Sequence, residues 1–92
     1  MYSIIFTESY EKKAKRFLSK HPELKGQYEK TLKLLELNPN HPSLRIHKVN
    51  IQGNEVFSVS INISYRITIE ILIDELEIIP INIGSHDDVY RK

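Results

Sequence analysis

Apolar positions recur along this chain with a helical period in its first half and a strand period in its second. Tyr10, Ala14, Phe17 and Leu18 fall at i, i+4, i+7 and i+8, one face of an α-helix. Leu24, Tyr28, Leu32 and Leu35 make a second stripe of the same kind. Ahead of the first stripe, residues 2–6 are short, apolar and β-favouring. Thr7 then offers an N-cap, with Glu8 in the first turn, where the helix dipole favours an anion. His21-Pro22 separates the two helices, because the residue before proline disfavours the α region and proline suits a first helical turn; Asn38-Pro39 closes the second. The pattern predicts a strand followed by a helical hairpin.

Beyond residue 43 the period drops to two. Leu44-Arg45-Ile46-His47, Val56-Phe57-Ser58-Val59-Ser60-Ile61 and Tyr65-Arg66-Ile67-Thr68-Ile69-Glu70-Ile71 alternate, as half-buried strands do. Gly53-Asn54, Asn62-Ile63-Ser64 and Asp74-Glu75 supply turns between them, so the strands should follow as an antiparallel meander. Residues 76–83 are more continuously apolar, as expected of a strand covered on both faces, and Pro80 within them predicts a bulge or one backbone position outside the ladder. No linker, repeat or low-complexity stretch interrupts the pattern. Residues 1–92 therefore read as one α+β domain of order β-α-α-β-β-β-β, its N-terminal strand and helical hairpin packed on one face of a mainly antiparallel twisted sheet.

Alternation also sorts side chains onto faces. Phe57, Val59 and Ile61 share a side with Tyr65, Ile67, Ile69 and Ile71, where the helices should pack. The opposite side carries Ser58, Ser60, Arg66 and Thr68, with Arg45 and His47 nearby if the first meander strand pairs in the obvious register. The chain then leaves its last strand through Gly84-Ser85-His86-Asp87-Asp88-Val89-Tyr90, which sets an imidazole and a phenol just past the strand end. If that tail curls back over the polar face, arginines, histidines and a tyrosine converge there. Guanidinium pairs bidentately with phosphate oxygens and imidazole moves protons near neutral pH, so the constellation suits a phosphodiester. Plainer roles compete: His47 as a surface or rim histidine, Arg66 paired with Glu70 or another surface acid along the sheet, Tyr90 as an apolar anchor for the tail. His86-Asp87-Asp88 lacks the further helix-borne ligands of a metal phosphohydrolase, and His21 and His41, beside prolines, are expected to be structural.

Size and composition narrow the classes. Ninety-two residues support one core and one small functional surface. The absence of cysteine excludes a disulfide framework, a thiolate nucleophile and a cysteine zinc site. The start lacks a basic n-region followed by a long apolar run, and no apolar run approaches membrane-spanning length, so a soluble cytoplasmic protein is expected. The net charge of +1 hides an asymmetry: residues 1–35 hold eight of the thirteen basic residues and four of the twelve acidic ones. Such a basic helical half can face phosphates or an acidic partner, or be a solvated helix face.

Four stretches, in this order and spacing, carry a resemblance. They are Ile4-Ile5-Phe6-Thr7-Glu8-Ser9-Tyr10, Leu37-Asn38-Pro39 with His47-Lys48-Val49 after it, Ser58-Val59-Ser60-Ile61-Asn62-Ile63-Ser64-Tyr65-Arg66-Ile67, and Ile83-Gly84-Ser85-His86-Asp87-Asp88-Val89-Tyr90. Over essentially its whole length the chain resembles the RelE/ParE superfamily of toxins from toxin–antitoxin pairs. The resemblance implies that fold and a cognate antitoxin as partner. On the RelE/YafQ-like branch it also implies a ribosome-dependent endoribonuclease acting on mRNA, with no metal, no small-molecule cofactor and no membrane. The implied chemistry is attack of a ribose 2′-hydroxyl on the adjacent phosphate, which needs a base, a cation for the phosphorane-like transition state and an acid for the leaving 5′-oxygen.

The resemblance carries over residue by residue. His86 stands where YafQ-like members keep a catalytic histidine, and Tyr90 where the family keeps a tyrosine or phenylalanine that stacks on or orients the substrate. Arg66 matches the arginine of the family's Tyr-Arg strand; His47 and Lys48 match the histidine or lysine of the first meander strand. The implied catalytic set is His86, Tyr90, Arg66 and His47, with Lys48, Arg45 and Ser60 as RNA-binding residues. One departure stands out: many relatives place a histidine or arginine where this chain has Ser60, so the implied cation falls to Arg66 with Lys48 or Arg45. ParE-like members use the same scaffold to inhibit DNA gyrase by binding, and a weakened toxin would persist as an antitoxin-binding module; both alternatives stay open. The implied antitoxin segment folds on binding, and the lysine-rich hairpin is a suitable landing surface.

Overall fold

The structure, a computed structural model, describes residues 1–90. Its elements are β1 (Ser3–Ile4), α1 (Glu8–Lys20), α2 (Lys25–Leu37), β2 (His47–Ile51), β3 (Asn54–Ser60), β4 (Tyr65–Leu72), β5 (Glu77–Ser85) and a short α3 (His86–Tyr90). The five strands form one sheet in the order β1-β5-β4-β3-β2, with β1 parallel to β5 and every other pair antiparallel. The expected architecture is thus present, with α3 added at its end.

Local chemistry explains most boundaries. Thr7 caps α1, its hydroxyl accepting the Tyr10 N–H at 3.1 Å, and Glu8 and Glu11 occupy the first turn. His21 ends the helix and Pro22–Leu24 forms a 3-10 turn into α2. The β2–β3 turn centres on Gln52 and Gly53, both at positive φ (53° and 84°), as a tight hairpin turn requires; this is one residue earlier than the expected Gly53-Asn54, because Asn54 already pairs with Ile51. Asn62 builds the β3–β4 turn, its Oδ1 accepting from the Ser64 and Tyr65 N–H groups at 2.9 and 2.8 Å. Thr68 faces Asn82 while Ile69 faces Pro80, so Ile81 is the extra residue of a bulge beside the proline.

The first meander strand corrects the alternation. Leu44-Arg45-Ile46-His47 is not a strand: Pro42–Leu44 is a 3-10 turn, Arg45 takes a left-handed φ of 48°, and β2 starts only at His47. The turn drops Leu44 into the core, where it is 1% exposed, so burial and not a pleat produced the apolar position.

The core lies between the helices and one face of the sheet. Tyr10, Ala14 and Phe17 of α1 and Tyr28 and Leu35 of α2 cover Val59, Ile67, Ile69, Ile78 and Ile83, with Phe57, Tyr65 and Ile71 packed at the margin. Leu18 and Leu32 are half-buried. At the helix–helix contact the phenols of Tyr10 and Tyr28 meet at 3.0 Å, one hydroxyl donating to the other inside the core. Among the described residues no helix is long and apolar enough to cross a membrane.

Candidate functional site

The sheet's other face gathers the polar side chains around Ser58. Ser58 pairs with His47 on one side and Thr68 on the other, and Ser60 pairs with Arg66. Residues paired directly across strands share a face, so His47, Ser58, Ser60, Arg66 and Thr68 all lie opposite the helical hairpin. Arg66 leans diagonally over β3: its Nε donates to Ser58 Oγ at 2.5 Å and its Nη2 lies 3.2 Å from the Arg45 carbonyl, 3.4 Å from the Ser58 carbonyl and 3.4 Å from His47 Nδ1. The expected alternative, pairing with Glu70, does not occur. Among the described residues Arg66 makes no ion pair, so its charge is open to an incoming anion.

α3 brings Tyr90 to the same place. The Tyr90 hydroxyl donates to Ser58 Oγ at 2.7 Å and lies 3.4 Å from His47 Nε2. The His47 ring is thereby held between Arg66 and Tyr90. Its Nδ1 faces a donor, Arg66 Nη2, and also an acceptor, the Arg45 carbonyl at 3.3 Å. That nitrogen therefore has a partner whether or not it carries the proton, which suits a group that takes up and releases one.

Four residues make the tail fold back. Ser85 and Asp88 bond reciprocally, the Asp88 carboxylate accepting the Ser85 N–H at 3.1 Å and Ser85 Oγ accepting the Asp88 N–H at 3.2 Å, which caps the helix start. Asn82 Nδ2 donates to the Asp88 carbonyl at 3.2 Å. Gly84 gives the room: a Cβ there would lie 2.7 Å from Asp88 Cβ. With α3 seated, Val89 is buried on the polar face, and Ser58 and Thr68 beneath are covered too; Thr68 Oγ1 has no hydrogen-bond partner among the described residues.

The sequence-derived residues divide. His47, Arg66 and Tyr90 come together with the Arg45 backbone. His86 does not enter their hydrogen bonds: it starts α3 with its side chain 75% exposed, its ring standing edge-on against Tyr90 at 4.2 Å and its Nδ1 3.9 Å from Asp87. Lys48 pairs with Phe57, so it lies on the helix side of the sheet, away from the cluster. The exposed Arg45 guanidinium makes no hydrogen bond or ion pair among the described residues. Ser60 is nearly buried and donates to the Asn62 carbonyl at 2.6 Å, which commits its hydroxyl to the turn. Ser58, Gly84, Ser85 and Asp88 were missed as site-builders, although Ser85-x-x-Asp88 is a readable capping pattern. Among the described residues no three His, Cys, Asp or Glu side chains are grouped to hold a metal ion.

Comparison with protein-family models and with curated protein sequences finds no match. Solved structures do match over nearly the whole chain. YafQ from E. coli superposes with a TM-score of 0.77 at 11% identity, covering 98% of this chain and 99% of that one. A metal-bound toxin from Helicobacter pylori gives 0.73 at 18% identity, covering 98% and 100%. The YoeB–YefM complex from Staphylococcus aureus gives 0.68 at 16% identity, covering 94% and 98%. The chain has the fold of these RelE-like toxins.

Proposed function

We propose that this chain is the toxin of a toxin–antitoxin pair and a ribosome-dependent mRNA endoribonuclease. The observation that carries the reading is the cluster of Arg66, His47, Ser58 and Tyr90, in which an unpaired guanidinium lies beside an imidazole with a partner in either protonation state. In this reading Arg66 holds the scissile phosphate and offsets charge on the phosphorane-like transition state. His47 accepts the 2′-hydroxyl proton as that oxygen bonds to phosphorus. The bond from phosphorus to the 5′-oxygen breaks, and His86, at the rim against Tyr90, returns a proton to the leaving oxygen. The products are a 2′,3′-cyclic phosphate and a 5′-hydroxyl.

Tyr90 orients His47 and closes the site on the α3 side. With Ser60 committed to its turn, the cation of this mechanism is Arg66, with the free Arg45 guanidinium in reserve for flanking phosphates. The ribosome supplies an mRNA already held near its attack geometry, so few side chains suffice. The antitoxin partner is supported by the fold shared with YoeB, whose structure is of a complex with YefM. Mixing the protein with translating ribosomes and mapping new mRNA ends tests this directly: 5′-hydroxyl ends within the coding region are expected. Intact mRNA, together with inhibition of DNA gyrase, overturns the reading in favour of a ParE-like action.

A further inference from the structure

A cleft distinct from the Arg66 cluster lies between α1 and the end of the sheet where Tyr65 of β4 and residues 82–84 of β5 meet the start of α3. It encloses about 330 Å³ and is lined by Lys13, Arg16 and Lys20 on one side, with His21, Tyr65 and Asp88 among the residues completing it. The three cations stand at i, i+3 and i+7 of α1, one row along the helix. Lys12, outside the cleft, pairs with Glu8 at 3.6 Å, whereas among the described residues none of the three lining cations makes an ion pair. Among the described lining residues the carboxylate is Asp88, which accepts the Ser85 N–H. Behind the row His21 and Tyr65 form a ring cluster with Phe17, with centroids 4.7 to 5.1 Å apart, and both are only half-buried.

We infer that this cleft is a second RNA-contact surface, in which Lys13, Arg16 and Lys20 track the phosphates of single-stranded RNA and the exposed side of the His21–Tyr65 cluster takes a base. A row of unpaired cations beside half-exposed rings matches the two parts of a nucleotide, its charged backbone and its π-face. An acidic peptide uses the cations and leaves the rings idle. α3 borders both places, the cleft through Asp88 and the catalytic cluster through Tyr90. The inference rests on the RNA reading proposed above and names where the substrate strand is held outside the reacting phosphate.

The test uses the full chain and a labelled, uncleavable single-stranded RNA, fully 2′-O-methylated, with binding followed by fluorescence anisotropy at several salt concentrations. The triple variant Lys13→Ala, Arg16→Ala, Lys20→Ala is compared with Lys25→Ala, Lys30→Ala, Lys33→Ala, which removes the same charge from exposed positions of α2. The cleft variant is expected to bind about ten-fold or more weakly at low salt and to lose about 2 from the slope of log affinity against log salt, at ~0.7 per phosphate contact. The α2 variant should change little in either. Equal losses in both variants, no loss in the cleft variant, or loss of binding to a polyglutamate peptide alone each overturn the inference. Because the probe cannot be cut, a wild-type protein that binds it through the cleft yet cleaves no mRNA removes the nuclease reading and leaves the cleft standing.

Discussion

Ser58 is fully buried and its hydroxyl oxygen receives two donors, the Arg66 Nε and the Tyr90 hydroxyl. Ser58→Ala leaves both without their acceptor, which should cost about 1–3 kcal/mol in urea denaturation. It should also reduce cleavage beyond what the lost stability explains, because Arg66 and Tyr90 lose their common anchor. His86 sits at the other extreme. Its side chain is 75% exposed, so His86→Ala should change stability by no more than about 0.5 kcal/mol. Its cleavage rate should nevertheless fall by about 10²-fold or more if it is the acid. Wild-type rates in that variant, by the same mapping of mRNA ends, remove His86 from the mechanism.

At the scale of elements, α3 is the piece on which the site depends. Gly84→Ala sets a methyl 2.7 Å from Asp88 Cβ at a φ of +154°, so α3 should lift from the sheet. The expected outcome is loss of the Tyr90–Ser58 contact, seen as faster hydrogen exchange at residues 85–90, with loss of cleavage. An unchanged exchange pattern counts against this account. α3 was also the element least legible beforehand. Five residues are too few for an amphipathic period, and the seating of the tail rests on the missing Cβ of Gly84 and on Asn82 reaching up from β5. The helical stripes, the Asn62 turn and the bulge at Pro80 were readable because each is dictated by neighbours in sequence. Leu44 misled because four alternating residues do not distinguish a strand from a turn that delivers one side chain to the core. In the site, Arg66 and His47 were visible from face sorting, whereas Tyr90 joined them only on the condition that the tail curls back over the polar face. The central place of Ser58 depends on strand register and the outward turn of His86 on how α3 is rotated, and neither is a local property.

The molecule as a whole is closed by contacts far apart in sequence. One is the phenol pair joining the two helices. Burial first of all raises both the Tyr10 and the Tyr28 pKa above the ordinary 10.0. A neutral group whose folded pKa is raised contributes stability that is intact below its unfolded value and lost above it. Stability measured by urea titration should therefore fall as pH rises beyond about 10, and the fall should be smaller in Tyr10→Phe/Tyr28→Phe. The other is β1. Strands β2 to β5 are joined by short turns, but Ser3 and Ile4 pair in parallel with Glu77 and Ile78 across the intervening hairpin and meander. Closing so long a loop is costly until both partners are nearly formed, so the meander can assemble first and the N-terminal strand dock last. Ile4→Ala should then speed unfolding in stopped-flow experiments while leaving the refolding rate nearly unchanged. A sheet finished in this order keeps one side of the early part of β5 open until the end of folding, and during that interval the newborn chain is most exposed to pairing with a strand that is not its own.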